Sequence, residues 1–550
     1  TPRRPFSIFI LLLSHHLLFF SSVSPQCHRA RGPTCLATPL TPGTQLLGWG
    51  FDVTTLNPTT GQVLLLGDLS TAREATCVLC PDLLAGGQPR RLPPGVAGWR
   101  SGRRCHQGTR VATGGQAVGT MVAGVEKVAK GWRVGLAGVV APPQGQGRLV
   151  VAGSHSRVAE FGLQRQREDR YGFASLELRC VLYWSRLSPH LHPSPHFLRA
   201  LRSLPPKFTS ATAPDYAQLL ASYGTHVILG SQTGGLLRSL TAVRSCRAAM
   251  MASSVQEVAD CLGVEVTAGG GPWRSSLLAK ACQKARATHQ ANVTFNEAFS
   301  ERLVEVEGGE EHGDLLYGRV ELYTKWLQSL LLNPGLVLAD VRPLHLLLPR
   351  GDPRRSSLRA AIGHFITWRS LRLHCNQSCP LAAGGHLVPP CQCSCSTNAV
   401  VNADCCSRAR GLARLMVMVD SGWGWLGDHF SMTDSYVRVI FGRRQVQTST
   451  LWNTNRPKWR ARLDFGVVEL RPNVGLKVEV WDEDNGWDDD LLGVCEEPVE
   501  AGGERRVICF PGGGHLQFSY QLTCGPSLGG PLCHDYVPQA PQGDDGGFSR

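Results

Sequence analysis

Seven of the chain's 20 cysteines fall between Cys375 and Cys406, packed as tightly as Cys391-Gln-Cys393-Ser-Cys395 and Cys405-Cys406. A stretch so poor in large apolar side chains cannot assemble a core, so it folds only when sulfur bridges staple it. Cysteines at this density and in even number read as disulfides made in an oxidising compartment. The 550 residues leave room for roughly two to four domains around that module.

The start of the chain points to the same compartment. Arg3 and Arg4 precede an apolar run from Phe6 to Phe20, broken at Ser14, His15 and His16, and the small residues Ser21, Ser22 and Ser24 follow. Residues 1–24 are read as a signal peptide, with a short membrane anchor as the alternative. Beyond it no stretch reaches the roughly 18 apolar residues of a bilayer-spanning helix. That excludes crossing by helices and says nothing of strands. The net charge of +13 draws such a chain towards anionic membranes, glycans or nucleic acid. Its arginine pairs, such as Arg90-Arg91, Arg354-Arg355 and Arg505-Arg506, are scattered without interleaved aromatics. They read as solvated faces, and no nucleic-acid partner is expected.

Three compositional regimes follow. Residues 25–374 mix alternating strand patterns with longer helical ones, residues 375–407 form the stapled module, and residues 408–522 alternate short β-branched and aromatic runs with turns. The expected class is α+β, closing on an all-β sandwich. Residues 523–550 form the C-terminal tail, which is expected to be loose after Pro526.

Two acid clusters mark the sandwich. Asp428 and Asp434 follow one strand pattern, and Asp482, Asp484, Asp488, Asp489 and Asp490 follow another. Crowded carboxylates repel, and a hard cation with six to eight oxygen ligands relieves that repulsion, which favours Ca2+ over zinc. An EF-hand counted from Asp482 fails, because its sixth and twelfth places hold Trp487 and Gly493. The alternative is a solvated acidic turn. Trp425, Leu426 and Trp487 beside the acids suit insertion into a headgroup layer. Trp423 reads as a core residue.

The segments Gly427-Asp428-His429-Phe430, Thr433-Asp434-Ser435-Tyr436-Val437, Asn455-Arg456-Pro457-Lys458-Trp459, Trp481-Asp482-Glu483-Asp484 and Asp488-Asp489-Asp490-Leu491-Leu492-Gly493 resemble a C2 domain. The resemblance implies calcium ligation by Asp428, Asp434, Asp482, Asp484 and Asp490, with Asp488 and Asp489 as further candidates. Backbone carbonyls around Gly427, Ser431 and Met432 would complete the shell. It also implies docking on phospholipid, weakened by acid because the ligands must be deprotonated.

The region before Cys375 holds no nucleophile elbow, no His-Glu-x-x-His and no phosphate loop, so no enzyme is expected. Cys77-Val-Leu-Cys80 reads as structural. The distinctive run is Tyr223-Gly224-Thr225-His226-Val227, followed by Gly234-Gly235. His226 reads as a satisfied structural histidine, and the glycine pair as a bulge or bend in a sheet. As a pattern the run resembles the signature of the membrane attack complex/perforin family, with Val227 where an aromatic is usual. Members with an EGF-like module and a C2 domain match the whole order of segments; terminal complement proteins, which lack the C2 domain, are the second choice.

The family implies a bent antiparallel sheet with helical clusters that become membrane β-hairpins in an oligomer. Within Ala279–Ala291 the small apolar Ala279, Ala281, Ala285, Ala287 and Ala291 alternate with Lys280, Cys282, Lys284, Arg286, Thr288 and Gln290. These are mostly good helix formers that become period-two amphipathic when extended, as a barrel strand requires. An Ala-rich surface helix is the alternative. A second candidate hairpin lies within residues 133–180, where Val134, Leu136, Val139, Val140 and Leu149 to Val151 flank a turn; a buried sheet hairpin is its alternative. Asn292 and Asn376 open glycosylation sequons.

By resemblance the protein is a secreted, calcium-dependent cytolysin. It would be held in the cytolytic, lysosome-like granules of killer lymphocytes and would form homo-oligomeric rings or arcs in target-cell membranes. Granule proteases (granzymes) would pass through as passengers rather than bound partners. A non-lytic lipid-binding or adhesion protein is the competing reading. The resemblance also implies pairing Cys27 with Cys80, Cys35 with Cys77, Cys105 with Cys180, Cys246 with Cys406, Cys261 with Cys282, Cys495 with Cys509 and Cys524 with Cys533. It leaves Cys375, Cys379, Cys391, Cys393, Cys395 and Cys405 to pair locally.

Overall fold

The computed structural model describes residues 26–67, 76–113, 117–140, 148–250, 301–310, 320–374, 386–388, 392–425, 432–484, 488–538 and 547–549. The α+β expectation holds: a mixed region built on a large antiparallel sheet precedes a β-sandwich.

The seven-stranded sheet runs in the order Asn57–Gln62, Trp49–Asp52, His226–Arg244, Tyr171–Leu187, Val96–Ala112. Glu301–Glu307 and Gly335–Pro343 share the remaining flank of His226–Arg244, one after the other. The central strand is buried over nearly its whole length because sheet neighbours and packed helices cover it. Phe51, Phe173, Tyr183, Tyr216 and Trp326 fill the core between sheet and helices. Helix starts follow local chemistry. The side chains of Ser156, Ser194 and Asp352 each accept a first-turn N–H, and proline opens the helices Pro195–Arg202 and Pro353–Trp368.

The glycine pair of the central strand does what its sequence suggested. A Cβ on Gly234 would fall 2.1 Å from the Cys180 carbonyl oxygen, and the pairing slips between Val181 and Tyr183 opposite it. On Gly235 a Cβ would meet Trp326 and Leu330 at 2.6 Å, so glycine lets the helix Val320–Ser329 lie against the sheet.

Bridges join Cys27 to Cys80, Cys35 to Cys77, Cys105 to Cys180, Cys246 to Cys406, Cys395 to Cys405, Cys495 to Cys509 and Cys524 to Cys533. Among the described residues no cysteine is free. Cys261, Cys282, Cys375, Cys379 and Cys391 lie outside them, as does the side chain of Cys393.

The sandwich has two four-stranded sheets. One runs Ala461–Glu469, Leu412–Trp423, His515–Cys524, Gly502–Cys509; the other runs Arg444–Gln447, Ser435–Phe441, Gly475–Asp482, Asp490–Pro498. Alternate residues Leu415, Val417 and Val419 of one sheet, and Val478 and Val480 of the other, close the core between them.

One expectation needs correction. The described residues of the tail are held in place: Cys524–Cys533 closes a turn, the Tyr536 hydroxyl bonds to Asp169, and Gly547–Ser549 pairs with Leu371–His374. Backbone pairing and a bridge hold it although it has few apolar side chains. Among the described residues of 133–180 the alternative, a buried sheet hairpin, is not formed: the chain passes through the short helix Lys130–Arg133, the strand Arg148–Leu149 that pairs with Leu371–His374, the helix Arg157–Glu168, and then the strand Tyr171–Leu187 beside the central one. Leu136, Val140, Val150 and Val151 are buried in the main core, which provides an apolar environment without strand pairing.

Candidate functional site

Two places bring the singled-out residues together: one end of the sandwich and one rim of the large sheet. At the sandwich, the registers Trp423 with His515, Val419 with Ala461, Ser435 with Asp482 and Asp482 with Asp490 put these strand ends at one end. The connections 424–434, 448–460, 483–489 and 510–514 therefore all emerge there. Connection 448–460 touches both sheets. Gly422 donates its N–H to the Pro457 carbonyl at 2.9 Å, and Trp459 Nε1–H donates to the Ser435 carbonyl at 3.1 Å.

The second sheet brings its acids to adjoining strand ends. Asp482 is buried, and its Oδ1 accepts the Asp434 N–H at 2.6 Å. Asp434 Oδ1 accepts the Asn453 N–H, and the Asp434 carbonyl accepts the Glu483 N–H at 2.8 Å. Tyr436 donates its hydroxyl to Asp489 Oδ2 at 2.8 Å, and burial, reinforced by Asp489, pushes the phenol up to about 12. Asp489 Oδ1 is buried with no hydrogen-bond partner among the described residues. An all-oxygen donor set from Asp434, Asp482, Asp484 and Asp490, with this orphaned oxygen beside it, fits a hard cation such as calcium. Among the described residues no three acid, histidine or cysteine side chains close into a metal cage. Asp428, Gly427 and Ser431 lie outside those residues, while Met432 and Asp488 are exposed at the same end.

The aromatic expectations change places. Trp425 is only 4 % exposed, packs against Gly422 and Gly514, and donates Nε1–H to the Pro511 carbonyl at 2.8 Å. It is a core residue, because the turn at Gly424 directs the chain back over the sandwich end. Trp423, read as core, is exposed and stacks on His515 with centroids 4.8 Å apart. Leu426 and Trp487 lie outside the described residues.

In the large sheet, Tyr223 ends the helix Ala213–Tyr223 and Gly224 turns the chain into the central strand at φ 72°, where a Cβ would fall 2.5 Å from the Phe51 backbone. The Val53 N–H donates to the Thr225 hydroxyl at 3.1 Å. His226 is fully buried; its Nε2–H donates to the Trp132 carbonyl at 2.8 Å, and Nδ1 lies 2.7 Å from the Thr225 hydroxyl. Burial lowers its pKa to about 4. The signature is a joint holding helix, sheet and the segment around Trp132 together.

The rim lies at the far end of the same strands. Ala112 pairs with Phe173, Tyr171 with Arg244, and Ala242 with Glu301. Residues 113–170 and 245–300 each leave this rim from one strand and return to its antiparallel neighbour. The first segment folds into helices, including Ala117–Ala123 and Arg157–Glu168. The second begins as the helix Ser245–Met250; Ala279–Ala291, Asn292 and Asn376 lie outside the described residues. Below the rim, buried Arg238 bridges Glu177 at 2.8 Å and Glu305 at 2.9 Å, and Arg179 reaches Glu177 at 2.6 Å. Burial opposes the Glu177 charge, but the two arginines still hold its carboxyl below the usual range. Sequence reading missed this network, which shows only once the strands are in register.

Residues 38–372 match the MAC/Perforin domain and residues 407–511 the C2 domain. The chain belongs to the membrane attack complex/perforin family. It is 39% identical to Perforin-1 of Homo sapiens over 538 residues, covering 95% of both chains. Perforin-1 of Rattus norvegicus is 36% identical and that of Mus musculus 37% identical, each comparison covering 98% of both chains.

Proposed function

We propose that this family member is a secreted, calcium-dependent pore-forming cytolysin. The observation that carries the reading is the rim: two long segments each join antiparallel neighbours at the same level of one sheet. Each, when extended, continues two strands already in register. A barrel strand needs only about 9 to 11 residues, so both segments are long enough for a hairpin. Strands can cross lipid only when every edge is paired, which requires copies of the chain to close a ring or arc.

At the sandwich end, Asp428, Asp434, Asp482, Asp484 and Asp490 would hold calcium, with Asp488 and Asp489 alongside. The ion supplies positive charge that offsets carboxylate repulsion and attracts lipid phosphate. The chain's own contribution is to fix the donors: the Asp434 N–H orients Asp482, Asn453 orients Asp434, and Tyr436 fixes one oxygen of Asp489 while the other has no partner among the described residues. No catalytic group is needed. The 36–39% identity to Perforin-1 over nearly the whole chain supports storage in cytolytic granules of killer lymphocytes and passage of granule proteases through the pore.

Dye release from phospholipid vesicles tests this. Release is expected in calcium, with loss in chelator and in the Asp428→Ala, Asp484→Ala double variant. Full release in chelator would overturn the calcium step, and calcium-dependent binding without release would favour the adhesion reading.

A further inference from the structure

At the strand ends remote from the rim, the large sheet sets two rows of side chains on one open face. Cross-strand register aligns Gly98, Arg186, Gly230 and Asp340 in one row, and Arg100, Trp184, Gln232 and Leu338 in the next. Strand alternation puts both rows on the same side of the sheet. In the first row glycines separate the long side chains, so bare backbone forms the floor of a groove of about 430 Å³, and Arg186 stands between its two glycines. A Cβ on Gly98 would meet nothing within 4 Å, whereas one on Gly230 would lie 3.2 Å from the Asp340 Cβ. The groove is therefore open towards the strand Val96–Ala112 and narrow beside Asp340.

The opposite face holds this floor in place. The Ser185 and Ser231 hydroxyls lie 2.6 Å apart, Ser231 donates to the Gly43 carbonyl at 3.1 Å, and Trp99 stacks on Tyr183 with centroids 5.8 Å apart. A floor fixed from behind is formed before any ligand arrives. The charged groups above it are uncommitted. Arg100, Arg186 and Asp340 are exposed, and among the described residues none of them enters an ion pair. Arg100 lies over the Trp184 ring, 4.8 Å from its centroid.

Each group matches a different part of one ligand. The guanidinium of Arg186, with Arg100 beside it, suits a carboxylate. Asp340 only accepts hydrogen bonds and repels a bare anion, so it suits hydroxyl groups, and the Gln232 amide can both donate and accept. Trp184 offers apolar surface to a ring. Inorganic phosphate satisfies the arginines but not Asp340, and a neutral sugar does the reverse. We propose that this groove binds an acidic sugar, a hydroxyl-bearing ring with one carboxylate, which places its carboxylate on Arg186 and its hydroxyls on Asp340 and Gln232. Such a unit is present in sialylated glycans and, as a uronic acid, in glycosaminoglycans. The contact lies away from both the rim and the sandwich end, and needs neither calcium nor lipid.

The test uses the full-length protein in chelator, with sialyllactose, a heparin disaccharide, lactose and inorganic phosphate as probes and affinity read by ligand-observed NMR. At least one acidic sugar is expected to bind about tenfold or more tightly than lactose and phosphate, and the tighter of the two identifies the source. Arg186→Gln is expected to lose about tenfold or more of that affinity. Gly98→Ile keeps every charge and fills the open side of the floor, so it should lose as much. Both variants should keep the melting temperature of the unsubstituted protein. Equal affinity for acidic and neutral sugar would overturn the proposal, as would acidic-sugar binding unchanged in both variants. Phosphate that binds as tightly as the acidic sugars would also overturn it, because the hydroxyl contacts would then contribute nothing. Sugar affinity is read without vesicles, so this result is separate from the outcome of the dye-release assay.

Discussion

His226 shows how much one buried side chain constrains. Its neutral ring donates through Nε2 to Trp132 and accepts the Thr225 hydroxyl at Nδ1, so its burial is satisfied only in one protonation state. The folded pKa is about 4, below the ordinary 6.5, because burial disfavours the cation. The unfolded chain therefore binds the additional proton first. This contribution to stability is complete above about pH 6.5 and is lost as pH falls through about 4, on the order of 3 kcal/mol in all. Melting temperatures measured from pH 7 to 4 should fall, and His226→Gln should flatten that slope while lowering stability at pH 7. An unchanged slope would remove His226 as the titrating group. At this scale a residue type and a neighbourhood could be read along the chain: a structural histidine was legible in the signature, but its hydrogen-bond partner Trp132, 94 positions away, was not. Trp425 and Trp423 carry the same lesson, since neighbouring tryptophans in one Gly-rich turn differ in burial only through the path of the chain at Gly424.

At the scale of elements, the rim segments were only half legible. Alternation in Ala279–Ala291, which lies outside the described residues, suits either a surface helix or a strand, whereas the apolar run after Val134 packs into the main core through irregular chain and the short strand Arg148–Leu149. Periodicity cannot separate these cases, because a buried helix, a buried strand and a future hairpin all need apolar residues. The sheet separates them by showing where each segment leaves and returns. One consequence is testable. Val128 forms a bridge to Ala339: the Ala129 N–H donates to the Ala339 carbonyl at 2.8 Å, and the Ala339 N–H donates to the Lys127 carbonyl at 3.0 Å. A disulfide between Val128→Cys and Ala339→Cys should fasten the first segment to the sheet. The oxidised protein is expected to bind vesicles normally and to lose at least tenfold in dye release, with single-cysteine controls active. Normal release from the crosslinked protein would place the inserting residues elsewhere.

Across the whole molecule, docking at one end must reach the sheet rim through the contacts between the two regions. Cys246, just beyond the central strand, is bonded to Cys406, next to the sandwich. Arg170 donates to the Asp404 carbonyl at 3.0 Å, and the Tyr536 hydroxyl bonds to Asp169. The helix-to-strand turn at Asp169 and Arg170 is thus held from the sandwich side. Replacing both Cys246 and Cys406 by Ser should split thermal unfolding into two transitions, retain calcium-dependent vesicle binding, and reduce release several-fold. A single unaltered transition would show that the remaining contacts suffice.

The sequence by itself determined the compartment, the order of segments, the sandwich with its acid loops and the family signature, because each is written in residues close together along the chain. Local spacing records turns, alternation, cysteine density and carboxylate crowding. Only the tertiary structure decided which strand ends share a rim, which tryptophan is core, and how Arg238 lies between two glutamates. Those facts depend on register and topology, which bring residues tens to hundreds of positions apart into contact, and no local pattern along the chain encodes them.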